Sequence, residues 1–147
     1  VAIRENILSN VVTTLKTITI ANGYNNDIGL VSREPFDWNN ILPKDFPAAL
    51  VVWKKEDKDA TGLQGQHILA DMTVTIRGVV WAAQELETAL NNFLNDVEKA
   101  MCVDTDRGGY GEYTEPLTIT VFQTELISYA IFDFDFRVVY QYLYGSP

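Results

Sequence analysis

The stretch Ala130–Tyr142, AIFDFDFRVVYQY, constrains this chain more than any other. Phe132, Phe134, Phe136, Val138, Tyr140 and Tyr142 fall on one side of a period-two pattern, with Asp133, Asp135, Arg137 and Gln141 on the other. That alternation predicts a half-buried antiparallel strand. Each large apolar side chain buried contributes roughly 1.5–3 kcal/mol. A slip of one residue would bury both aspartates and expose the phenylalanines, so the strand sets its own register. The remaining chain must supply helices to cover the aromatic face and strands to pair with its edges, because an open stripe of this size would aggregate.

Upstream, Ile3, Ile7, Leu8, Val11, Val12, Leu15 and Ile18 recur at three and four, predicting a first helix over 2–18. Asn22-Gly23 tolerates positive φ and ends it, and a short strand is expected over 28–33. The stretch 35–47, PFDWNNILPKDFP, combines three prolines with Phe36, Trp38, Ile41, Leu42 and Phe46. Such a loop must dock, either on its own domain or on a neighbouring subunit. AALVVW over 48–53 reads as a central strand. KKEDKD and the glycine-containing residues after it are expected to be mobile at least as far as Gln66, as a solvated hairpin tip or as an arm that orders against a partner.

Met72, Val74, Ile76 and Val80 alternate with threonines and Arg77 in a third strand, in which Gly78 suggests a bulge. Leu86, Leu90, Phe93, Leu94, Val97 and Met101 predict a second helix over 82–101. A glycine-rich turn over 104–116 then leads to a strand containing Leu117, Ile119 and Val121. The order αβββαββ predicts one α+β domain spanning 1–147, an antiparallel sheet with both helices on one face.

Length and apolar content, 147 residues and 47%, suit a single core. No apolar run reaches membrane-spanning length and no leader pattern opens the chain, so neither a membrane span nor a secretion signal is expected. Cys102 is the sole cysteine, which excludes an internal disulfide and suits a reducing compartment. The net charge of −9 is uneven: residues 1–84 hold 9 acids and 8 bases, residues 85–147 hold 11 and 3. That balance argues against a surface that grips nucleic acid, though not against one that lets it pass.

Catalytic patterns are absent. His67 is the only histidine and has no neighbouring nucleophile, so it is expected on the surface or at the start of a strand. Cys102 has no basic neighbour and is expected as a buried thiol. Asp133 and Asp135 would sit about 6.6–6.8 Å apart on one strand face, a spacing open to an acid–base pair, but with Arg137 they also form a surface charge ladder. Asp104, Asp106, Gly109, Glu112 and Glu115 partly match a calcium-type loop, whereas Gly108 and Pro116 depart from it. An acidic solvated turn is the competing reading, and no cofactor or catalytic residue is expected.

The helix ending in NGY, NDIGLVSR, the proline-bounded loop before AALVVW, the charged run before a strand ending IRGVVW, the long helix, DTDRGG and the closing YLYGSP occur in an order that resembles the tail terminator or minor tail proteins of tailed bacteriophages, the lambda-like type included. The resemblance extends over essentially the full chain. It implies a non-enzymatic virion subunit, assembled in the host bacterial cytoplasm, that closes as a hexameric ring on the tail tube. The ring would stop tube polymerisation and offer a surface to the head–tail connector protein, with a bore through which DNA passes unbound. Partners would be self, tube protein and connector, with no membrane. The family supplies no motif-defined residues, so regions are nominated: Phe36, Trp38, Ile41, Leu42, Lys54, Lys55 and Lys58 for subunit or tube contacts, and Asp104, Asp106, Glu112 and Glu115 for an acidic lumen. Another neck, tail-completion or baseplate-associated protein of a phage or contractile injection system would read much the same, and a small ligand-binding or enzymatic module is the third alternative.

Overall fold

The computed structural model describes residues 2–35, 41–60, 66–123 and 128–147. Its elements are α1 (Ile3–Leu15), β1 (Leu30–Ser32), β2 (Ala48–Asp59), β3 (His67–Trp81), α2 (Leu86–Val103), β4 (Tyr113–Gln123) and β5 (Tyr129–Leu143). The five strands form one sheet in the order β1-β2-β3-β5-β4. The fold is α+β with the predicted succession of elements, and His67 opens β3 as a half-buried residue.

Strand β5 lies between β3 and β4 and pairs with β3 over its whole length, Trp81↔Tyr129 through His67↔Leu143. Phe132, Phe134, Phe136, Val138, Tyr140 and Tyr142 are all buried. They share one core with Ile7, Leu8, Val11 and Leu15 of α1 and Leu90, Phe93, Val97 and Met101 of α2, so both helices cover the same face of the sheet. Phe93 meets Phe132 edge-on at 5.7 Å between centroids, and Phe134 stacks on Phe136 at 4.3 Å, geometries that suit the aromatic quadrupole.

Several boundaries differ from expectation for identifiable reasons. The sheet is mixed, because β1 pairs parallel to β2 through Leu30↔Ala48 and Ser32↔Leu50. Strands β1 and β2 therefore start from the same end of the sheet. Helix α1 stops at Leu15, and the turn Ile20–Asn22 is closed by Gly23 at φ +90°, a backbone state that glycine adopts without strain. Helix α2 begins only at Leu86, after Glu85 takes a left-handed conformation.

The run KKEDKD continues β2 instead of leaving the sheet, with a register shift between Trp53 and Lys55. Its charges are accommodated because Glu56 and Lys58 find partners on the helix-covered face. The rest of the expected arm, 61–65, lies outside the described residues, and Gln66 is fixed by accepting a bond from the Tyr144 N–H at 2.9 Å. Strand β4 begins at Tyr113 and includes Pro116, which an edge strand tolerates. Gly78 is not a bulge: its pairing is continuous on both sides, and a Cβ there would lie 2.1 Å from the ring of Phe132. Glycine is present to admit that ring. Cys102 is exposed rather than buried, because the last turn of α2 directs Met101 inward and the cysteine outward.

Candidate interaction surface

The face of the sheet opposite the helices carries a lattice of cross-strand ion pairs. Arg77 grips Asp133 with two bonds, at 2.7 and 2.9 Å. Asp135 accepts from Thr75 Oγ1 at 2.6 Å and from Lys54 Nζ at 3.1 Å. Arg137 spans Asp71 on one side and Glu115 on the other, at 2.8 and 3.1 Å. The alternating charges of β5 are thus a surface ladder. Opposite charges facing each other across strands hold register and contribute roughly 0.2–1 kcal/mol each. Beside the ladder lies an open groove of about 500 Å³, lined by Asp57, Lys58, Asp71, Glu112, Tyr113 and Arg137.

On the helix-covered face the side chain of Glu56 is a buried charge. Its side chain is 3% exposed and receives Arg4 Nε and Nη2 at 3.0 and 2.9 Å, Tyr140 Oη at 2.8 Å and Lys58 Nζ at 3.0 Å. Burial raises the carboxyl pKa, but the bonds from Arg4, Lys58 and Tyr140 outweigh it and hold the group at about 2. Burial beside that carboxylate in turn pushes the Tyr140 hydroxyl up. The Arg4 guanidinium lies 4.6 Å above the Trp53 ring, and Lys58 bonds Tyr142 Oη at 2.6 Å. Two nominated lysines are therefore engaged within the chain: Lys54 with Asp135, Lys58 with Glu56 and Tyr142. Lys55 approaches Asp57 at 3.5 Å on an exposed flank.

The acidic turn after α2 is built around Arg107, which the sequence reading did not single out. Its side chain is fully buried, its backbone is left-handed, and its guanidinium donates to the carbonyl oxygens of Met101, at 2.7 Å, and Asp104. A helix end leaves carbonyls without donors and favours a cation, so Arg107 closes α2. Burial lowers its pKa. Asp104 accepts from Gly108 N–H at 3.0 Å and Asn10 Nδ2 at 3.1 Å, and Asp106 from Gly109 N–H at 3.2 Å. Burial works against the Asp104 charge, yet those bonds bring its pKa down overall. Asp104 and Asp106 share this turn, Glu112 is exposed just before β4, and Glu115 is tied to Arg137. Among the described residues no three His, Cys, Asp or Glu side chains are gathered as a metal would need. The fitting signal for Arg107 was a lone basic residue directly past a helix end.

Among the described residues, β4 carries more exposed large apolar side chains than any other element. Leu117, Ile119, Val121 and Phe122 are 50%, 46%, 44% and 49% exposed. Ile119 and Val121 oppose Phe134 and Phe132 and so point to the helix side, at the margin that α2 does not fully cover. Of the nominated loop residues, Phe36 and Trp38 lie outside the described residues, Ile41 is half-buried and Leu42 is exposed. No described helix is long and apolar enough to cross a membrane.

No family model matches the chain, and no curated protein matches it. Among solved structures it is similar to a chain of the virion of a native gene transfer agent particle, at 13% identity and a TM-score of 0.49, over 92% of this chain and 94% of that one.

Proposed function

We propose that this protein is a structural subunit of a tailed-phage-type virion that closes as a ring on the end of the tail tube, ends tube growth and presents a surface to the head–tail connector protein. The observation that carries the reading is the order of elements. The sequence likeness to tail terminators runs along essentially the full chain and implies an α+β subunit, and the fold follows the order αβββαββ. Exposed large apolar side chains on separate parts of the surface, Leu42 and Trp53 near the β2 side and the β4 group at the far edge, suit a subunit that works among copies and partners. In this reading the acidic turn and the start of β4 face the bore, where like charge keeps passing DNA from sticking.

The test is assembly. Light scattering across concentration, with negative-stain imaging of large species, is expected to give six-subunit rings, either alone or once tube ends are supplied. Added to polymerising tube protein, the chain should shorten the tubes and appear at one end. Tubes that grow to unaltered length with no bound subunit would overturn the reading.

A further inference from the structure

We propose that the outer edge of β4 docks the same strand of a second copy, antiparallel, about a twofold axis at Ile119. On its inner side β4 is bonded to β5; on its outer side no described strand follows, so alternate backbone N–H and C=O groups are left without a strand partner. Only another extended segment satisfies such a row in register. From Pro116 to Phe122 the strand, PLTITVF, holds no charged residue.

The opposite rim of the sheet differs. There β1 covers β2 over Ala48–Leu50, and beyond it come Lys54, Lys55 and Asp57 with the register shift between Trp53 and Lys55. Lysines, mixed charge and a bulge are the devices by which edges resist strand addition. Strand β4 has its own shift, between Pro116 and Thr118, and carries no charge along the unbroken edge beyond it, Thr118–Gln123.

The sequence of β4 itself selects the occupant. Reversed about Ile119, it places Ile119 opposite Ile119 of the second copy and Thr118 opposite Thr120, with Val121 meeting Leu117 at the register shift. Apolar residues meet apolar residues, threonines meet threonines, and no like charges face each other. Opposed residues of an antiparallel pair point to the same face, so Ile119 and Val121 from both chains come together on the helix side, where each is now about half exposed, with Leu117 beside them at the register shift. A slip of one residue would oppose Ile119 to a threonine and turn the second copy's helices to the other face. The contact uses none of the residues nominated for ring closure and does not rest on the ring reading.

The experiment is a symmetric cross-link. In a Cys102→Ser background, Ile119→Cys places two thiols on the axis, where opposed Cα atoms lie about 4.5–5.5 Å apart, inside the disulfide range. Mild oxidation is expected to give a covalent dimer. The control Phe122→Cys should not, since the two copies of that residue would be about 20 Å apart. In the native background Ile119→Lys should weaken dimerisation at least tenfold by light scattering while leaving circular dichroism and thermal midpoint near those of the parent. Equal cross-linking at both positions, an unaltered dimer with Ile119→Lys, or a parent that stays monomeric while Ile119→Cys forms no cross-link would each overturn the proposal. A dimer that forms no ring supports this contact and counts against the ring; a ring indifferent to Ile119→Lys does the reverse.

Discussion

Gly78 and Phe132 are partners across two strands. The ring occupies the space a side chain on Gly78 would need, with Phe93 against its edge. Gly78→Val forces either that ring or the backbone to move, and overpacking of this kind costs about 1–3 kcal/mol. Urea unfolding should show the loss as a lower midpoint, and Phe132→Leu in the same chain should recover part of it; an unaltered midpoint for Gly78→Val would refute the packing role. The alternation of β5 was legible because a period of two is written in neighbouring residues. The purpose of Gly78 was not, since its reason for being glycine lies more than fifty residues away in sequence. Arg107 escaped notice likewise: a basic residue among acids and glycines reads as solvated until the carbonyls of α2 are seen to lack donors.

Elements are joined here by charges as well as by apolar contact. Glu56 brings together α1 through Arg4, β2 through Lys58 and β5 through Tyr140. Its carboxyl is held at about 2, below the ordinary value of 4.5, so it binds a proton less readily folded than unfolded. The resulting stabilisation is complete above about pH 4.5 and disappears as pH falls through about 2. Glu56→Gln should therefore cost on the order of 2 kcal/mol at neutral pH and lose its difference from the parent near pH 2, measured by denaturation across pH. A penalty independent of pH would show that the charge is not what matters. The composition of KKEDKD is that of solvent-facing chain, which predicts a loop. Pairing with β3 and the waiting Arg4 and Tyr140 decide otherwise, and neither is visible within the run itself.

For the whole molecule, the acidic surplus of residues 85–147 bears on the proposed bore. Glu112→Lys with Glu115→Lys leaves the bonds around Asp104 and Asp106 in place while reversing charge at the start of β4. Particles built with that variant should assemble but deliver DNA less well; unchanged delivery would remove the bore from the account. The fold class and the succession of elements were legible because amphipathic periods are local, whereas the parallel placement of β1 depends on where a distant segment returns. The hydrophobic content of 35–47 points to that loop as the contact, yet among the described residues β4 carries more exposed large apolar side chains than any other element. What no residue could disclose is which side of an apolar strand its own helices leave open.

The central position of β5 has a consequence for how the chain comes into being. Synthesis delivers β2, β3, α2 and β4 before the strand that joins β3 to β4 exists. Until β5 emerges, β3 has one unpaired side, β4 has two, and the aromatic half of the core is missing. The pairing of β3 and β4 into one sheet is thus deferred to this last strand, and a nascent chain paused before it carries the apolar strand β4 unguarded.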